Sequence, residues 1–137
     1  MVKMSGGLAL VQALAYENVR AVFGLPGVQI LDIYDGLYQH PEIKVITVRH
    51  EQATSQMADG YARATGEPGV AIVVPGPGLL NAATGIGIAY STSTPVLLVS
   101  GQIPSSSLGK KYGELHEIED QKLVLKNMTK WQAMALK

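Results

Sequence analysis

The stretch Arg49-His-Glu-Gln-Ala-Thr-Ser-Gln-Met-Ala-Asp-Gly-Tyr-Ala-Arg-Ala-Thr-Gly66 is where the chain changes period. Before it lies a β-branched run, Val45-Ile-Thr-Val48, the pattern of a buried strand. Within it, Ala53, Met57, Gly60, Tyr61 and Ala64 recur at helical spacing and line one face. Gly66 is a helix stop. Glu51 therefore falls where a strand ends and a helix begins, the edge at which open α/β sheets bind ligands. A carboxylate walled there by apolar strands is a group that holds or passes a proton to a buried ligand nitrogen. The alternative reading is a helix-start carboxylate favoured by the helix dipole.

The same alternation extends in both directions. Ser5 to Asn18 reads as a helix capped by Ser5, with Leu8, Val11 and Ala15 as its stripe. Arg20 to Phe23 is a short strand, and Gly24-Leu-Pro-Gly27 a turn. That turn either brings backbone close to a ligand, since glycine lacks a Cβ, or simply joins a strand to a helix. Gln29 to Tyr38 reads as a helix with Ile30, Leu31, Tyr34, Leu37 and Tyr38 inward. Beyond Gly66, Val70 to Val74 is an all-apolar strand, expected to be central. Pro75-Gly-Pro-Gly78 is a stiff loop without the Gly-Lys-Ser/Thr of a phosphate loop. Leu79 to Tyr90 is a helix rich in small residues, with Gly85 and Gly87 inside it. Those glycines admit a flat ligand or another backbone, or reflect tight packing. Val96 to Val99 is a fourth strand, followed by Gly101-Gln102. Ser105 to Leu115 reads as a mobile loop, Ile118 to Asn127 as a short helix, and Lys130 to Leu136 as a last strand or exit segment. Four β-α units in succession imply a three-layer α/β/α domain with a mainly parallel sheet and right-handed crossovers.

Composition narrows the function. The chain has 137 residues, enough for one domain with a core, and zero net charge, which argues against nucleic acid or an anionic membrane as partner. There is no cysteine, hence no disulfide framework and no thiolate metal site. His40, His50 and His116 are too scattered for a metal site. Met1 to Gly7 leads into an amphipathic pattern, not an apolar leader, so the cytoplasm is expected. From Pro68 to Gly109 all 42 residues are uncharged. Pro75, Gly76, Pro77, Gly78 and Asn81 break this run too often for a membrane helix. It reads instead as buried sheet plus a helix covered by another domain or subunit, so a dimer or higher homo-oligomer is expected.

Arg49-His-Glu-Gln52 with Ala58-Asp-Gly-Tyr-Ala-Arg-Ala-Thr-Gly66 resembles the pyrimidine-binding (PYR) domain of thiamine diphosphate enzymes, nearest to the acetolactate (acetohydroxyacid) synthase group. Val22-Phe-Gly-Leu-Pro-Gly27, Gly76-Pro-Gly78 with Asn81, and Gly101-Gln-Ile-Pro104 agree in the same order, over nearly the whole chain. The resemblance implies that Glu51 is catalytic, bonded to N1′ of the cofactor's aminopyrimidine, in an enzyme acting on 2-keto acids. It implies that Pro26, Gly27, Gly76, Pro77 and Asn81 shape the pyrimidine pocket, with Gln102 near it. Two positions depart from the family pattern. Val74-Pro75 stands where Thr-Ser is usual, and Leu115-His116-Glu117 where Phe-Gln-Glu is usual, which puts His116 either toward the active site or on a solvated loop.

The family binds Mg2+ and diphosphate through a Gly-Asp-Gly motif and a later Asn on a separate domain. Here the Asp-Gly pairs are Asp35-Gly36 and Asp59-Gly60, both inside helical patterns, so no metal residues are assigned. The expectation is a single PYR domain over residues 1–137, lacking the middle and diphosphate-binding domains. It would hold the pyrimidine half of the cofactor and need a diphosphate-binding domain or subunit for Mg2+. The alternatives are one subunit of a split enzyme, or a non-catalytic α/β association module.

Overall fold

The computed structural model describes residues 3–135. Helix α1 (Gly6–Tyr16) is capped by Ser5, whose Oγ accepts from the Leu8 amide at 3.2 Å. Strand β1 (Ala21–Gly24), a 3-10 turn (Val28–Ile30), helix α2 (Leu31–Tyr38), strand β2 (Lys44–Thr47), helix α3 (Glu51–Thr65), strand β3 (Gly69–Val73), helix α4 (Pro77–Ser91) and strand β4 (Val96–Ser100) follow. A long strap then leads to helix α5 (Gln121–Leu125) and a 3-10 turn (Lys126–Met128). The strands form one parallel sheet in the order β2-β1-β3-β4. The all-apolar β3 is an inner strand, buried at every residue, as its lack of polar side chains requires.

Strand alternation sorts the core into two faces. Val22, Val70 and Ile72 pack with Val11, Leu14, Ile33 and Leu37 of α1 and α2. Phe23 and Ala71 pack with Ala58 of α3 on one cluster of the other face, where Tyr61 meets Phe23 edge-on at 5.9 Å. Val73, Leu79, Ala82 and Leu125 form its continuation under α4 and α5.

Several elements differ from the sequence reading. The buried face of α3 is Thr54, Ser55, Ala58, Asp59 and Ala62, not the stripe of Ala53, Met57, Gly60, Tyr61 and Ala64. Its polar members are satisfied locally. Ser55 Oγ donates to the Ala82 carbonyl of α4 at 2.7 Å, and Asp59 accepts two hydrogen bonds from Arg63, at 2.8 and 3.1 Å. Hydrogen bonding therefore overrides hydrophobic periodicity here, and Met57 is turned outward. In α2 the inward side includes Ile33, whereas Leu31 and Tyr38 are exposed. The helix also begins later than expected, because Val28–Ile30 winds as a 3-10 turn. The helix expected over Ile118 to Asn127 is limited to α5 and its 3-10 turn. Residues 130–135 form no strand; Leu136, the end of that expected segment, lies outside the described residues.

Gly85 settles one of the open readings. A side chain there would strike Ser55 Oγ and lie 2.7 Å from the Gln56 and Ser55 backbone, so Gly85 lets α3 and α4 touch. Gly87, by contrast, faces open space. No described helix is long and apolar enough to cross a membrane.

Candidate active site

Parallel strands bring every strand-to-helix turn to one sheet edge, and that edge gathers the residues singled out above. His50 is extended and caps α3, its Nδ1 accepting from the Gln52 amide at 3.2 Å. This fixes Glu51 as the first residue of the helix, half-buried at the sheet edge. One carboxylate oxygen, Oε2, accepts from Asn81 Nδ2 at 2.9 Å, a bond between the starts of α3 and α4. The other, Oε1, lies beside Gly78: a Cβ on that glycine would sit 3.6 Å from it and 2.6 Å from Val74 Cγ2. Glu51 and Asn81 are thus brought together, with Gly78 as bare backbone next to them.

The Pro75–Gly78 turn makes this approach possible. Gly76 adopts φ 58° and ψ −113°, a conformation that a side chain would strain. It also packs under the His116 carbonyl, which a Cβ would strike. Pro77 is exposed at the first position of α4, where its missing N–H costs nothing. Gly27 is pressed against Val74 Cγ1, and Pro26 is exposed beside it. Val74 stands where a hydroxyl was expected and serves as the packing partner of both Gly27 and Gly78. Gln102 follows β4, and its Oε1 accepts from the Ile103 amide at 2.8 Å, so its side chain is engaged with its own backbone.

The segment expected to be mobile is a strap with its own internal order. Ser100 Oγ donates to Gln121 Oε1 and Gln121 Nε2 donates to the Gly101 carbonyl, which closes its base. Glu117 Oε2 accepts from the Gly113 and Glu114 amides, and Ser107 Oγ donates to Glu114 at 2.6 Å. Gln29 Nε2 donates to the Leu115 carbonyl at 3.0 Å and ties the strap to the 3-10 turn before α2. His116 is neither a solvated histidine nor a contact of Glu51. It is partly buried, held at φ 68°, and seated on Gly76. Sequence reading missed Gln29 and the Gln29–Leu115 tie, because a contact spanning 86 residues has no local signal.

Among the described residues, three buried side-chain polar atoms have no hydrogen-bond partner: Gln29 Oε1, Tyr34 Oη and His116 Nδ1. Tyr34 packs against Gly24 at the end of β1, and burial pushes its phenol up to about 12 from 10.0. The unfolded chain then releases this proton first, so the phenol's contribution to stability is intact below pH 10 and is lost between about 10 and 12. Tyr34→Phe removes both the titration and an unsatisfied hydroxyl. It is expected to leave neutral-pH stability equal or slightly higher and to flatten the alkaline limb of a pH–denaturation curve; an unchanged alkaline limb contradicts the assignment.

The family model describing the thiamine pyrophosphate enzyme N-terminal TPP-binding domain matches residues 4–124. The chain is 47% identical over 133 residues, 97% of its length, to a probable 2-ketoarginine decarboxylase of Pseudomonas aeruginosa. It is 50% identical over 109 residues, 80% of its length, to the acetolactate synthase large subunit of Haemophilus influenzae. It is 35% identical over 133 residues to the mitochondrial acetolactate synthase catalytic subunit of Saccharomyces cerevisiae. The match spans only 24%, 19% and 19% of those three proteins, respectively.

Proposed function

This chain belongs to the thiamine pyrophosphate enzyme N-terminal TPP-binding domain family, and from that membership we propose that it is the pyrimidine-binding module of an enzyme acting on 2-keto acids. The observation that carries the reading is the hydrogen bond from Asn81 Nδ2 to Glu51 Oε2 at 2.9 Å. Asn81 fixes the carboxylate and, by occupying Oε2, leaves Oε1 for a ring nitrogen. Gly78, packed on Val74, presents bare backbone beside Oε1, and Gly76, Pro77, Pro26 and Gly27 lie on the same edge. These residues fit a flat, nitrogen-bearing aminopyrimidine. When bound, thiamine diphosphate supplies the electron sink that a 2-keto acid needs to lose CO2 or to be joined to a second carbonyl compound. The role of Glu51 is to hold and return a proton at the ring nitrogen. Mg2+ and the diphosphate belong to a second domain or subunit. Gln102 stands at the margin of the site, with Asn81 as the positioning residue for Glu51. Acetolactate synthase-like carboligation and simple decarboxylation are both compatible with this half-site, and the cytoplasm is the proposed compartment.

Glu51→Gln is the direct test. In an active enzyme assembled from this chain, the amide keeps the Asn81 contact and loses the proton. Exchange of the cofactor's C2 proton, followed by NMR in deuterated solvent, is expected to slow by at least ~100-fold. Near wild-type exchange, with cofactor binding retained, overturns the reading.

Association follows from the outward faces of α3 and α4. Met57, Leu80 and Ile88 are exposed large apolar residues there, with Ala53, Gly60, Ala64, Thr84 and Gly87 between them. We place the subunit contact on this face and expect a dimer or higher oligomer in sedimentation at tens of micromolar. Met57→Glu should shift it toward monomer, and a wild-type chain that is only monomeric contradicts the placement. A purely associating, non-catalytic module is the second reading. It predicts the same sedimentation but no effect of Glu51→Gln on any thiamine diphosphate chemistry.

A further inference from the structure

Helices that return against parallel strands all end at the edge opposite Glu51. Tyr16 closes α1 and Tyr38 closes α2, 85% and 90% exposed, and Tyr90 lies one residue before the end of α4. None of these three helices has a basic residue in its last turn, so their terminal carbonyls are uncompensated by a cation of their own helix. Where α1 ends and β3 and β4 begin lies a cavity of about 360 Å3, at the small end of ligand pockets. Its walls are Leu14, Val19, Val70 and Leu97; Leu97, on the edge strand β4 beside Val70, is 39% exposed. The exposed residues Glu17, Arg20 and Glu67 border it. Tyr61 Oη donates to Glu67 Oε2 at 3.0 Å and fixes that carboxylate. Arg20 Nε is 4.0 Å from Glu67 Oε1, too far for a hydrogen bond. Glu42, just beyond α2, adds a third carboxylate and Lys44 a second cation. With three helix C-termini, each carrying part of a negative charge, this edge is electronegative.

We propose that this edge docks a basic segment of a partner protein, which places one aliphatic side chain in the cavity and a lysine or arginine on either side of it. Glu17 and Glu67 receive the flanking cations, and the exposed rings of Tyr16 and Tyr38 offer them cation–π contacts. The charge selects among occupants. A second copy of the chain would set the same carboxylates and helix C-termini against each other, which is costly. Nucleic acid and anionic lipid are repelled for the same reason. Exposed tyrosines around an apolar recess are also the composition of protein interfaces. The surface lies at the opposite end of the strands from Glu51, so it stands independently of the role given to that residue.

The 137-residue chain, with labelled Leu and Val methyl groups, tests this by NMR titration with three capped peptides: Lys-Lys-Leu-Leu-Lys-Lys, Glu-Glu-Leu-Leu-Glu-Glu and Lys-Lys-Ser-Ser-Lys-Lys. The basic leucine peptide is expected to shift the methyls of Leu14, Val19, Val70 and Leu97. It should bind roughly tenfold tighter than the acidic one, the size that two exposed ion pairs and a cation–π contact supply. The serine peptide should bind more weakly and leave those methyls unmoved. Glu17→Gln with Glu67→Gln should remove most of the preference for the basic peptide without lowering the melting temperature, because both side chains are exposed. Leu97→Trp should fill the cavity and block the leucine peptide. Equal binding of the basic and acidic leucine peptides overturns the proposal, as does a preference that survives the double Gln substitution. Shifts confined to other parts of the chain overturn it too. Shifts of the same methyls on raising the chain's own concentration, with no peptide present, assign the edge to a second copy and equally overturn it.

Discussion

Gly69→Ala is expected to destabilise the domain by about 3 kcal/mol, the upper end for forcing one methyl group into a close-packed interior. Gly69 opens β3 and lies directly beneath α3. A Cβ there would strike the Ala58 carbonyl oxygen and come within 2.6 Å of its carbon and 2.8 Å of the Ala58 Cα. These are backbone atoms, which cannot swing aside as a flexible side chain can. Either α3 lifts off the sheet or β3 shifts and weakens its ladder with β4, where Gly69 is paired with Val96. For a chain of this size the melting temperature should fall by roughly 10 °C. Because α3 carries Glu51, the same shift should disturb the Glu51–Asn81 bond. The contrast is with Gly60 and Gly87, which lie inside helices and meet nothing within 4 Å. In the monomeric chain, where that outward face is free, alanine at either should stabilise by up to ~1 kcal/mol through helix propensity. Thermal denaturation of the three variants checks this; a Gly69→Ala melting curve matching Gly87→Ala overturns the packing account.

The contrast among glycines also marks what the sequence could convey. All four strands fell where short apolar runs ended in turn residues; the inner strands β1 and β3, buried throughout, have little freedom of composition, whereas the edge strands β2 and β4 are partly exposed. Parallel topology followed from alternation of strands and helices, and it sent Glu51, Gly76 and Asn81 to one edge. The inward face of α3 was not legible from periodicity, since Thr54, Ser55 and Asp59 are buried by virtue of partners on Glu51, Ala82 and Arg63 respectively. An apolar count has no means of seeing a hydrogen bond 27 residues away. Gly69, Gly85 and Gly87 are identical letters, and only the neighbouring backbone separates a required glycine from a dispensable one. The bond between Asn81 and Glu51 was half visible. Both residues were assigned to the pocket through family resemblance, but their direct contact appears only when the first turns of α3 and α4 lie side by side. The strap was legible as a polar, glycine-containing segment and not as an ordered one, because its carboxylates bond to its own amides.

The 137-residue chain purified alone is expected to show no pyruvate decarboxylation and no acetolactate formation with thiamine diphosphate and Mg2+. Its edge offers Glu51, Asn81 and bare glycine backbone to one ring of the cofactor. The Asp-Gly pairs in its sequence, at 35–36 and 59–60, lie within α2 and α3, and Asp59 is already bonded to Arg63. Contact with one ring is a weak anchor, so binding of the whole cofactor should be no tighter than roughly millimolar, ~4 kcal/mol. Catalysis asks for more than binding. On the proposed reading Glu51 acts at the pyrimidine, whereas the reacting carbon is on the thiazolium, and the two rings must be held in one geometry for a proton at one to affect the other. With the diphosphate end free, most bound geometries are unproductive. Pairing of two such chains through α3 and α4 does not change this, because each presents the same half-site. A compatible diphosphate-binding domain supplied in trans is expected to restore turnover, and Glu51→Ala should abolish what is restored. Isothermal titration with the cofactor and a coupled pyruvate assay check both steps. Robust turnover by the isolated chain, absent in Glu51→Ala, contradicts the two-ended anchoring on which the expectation rests.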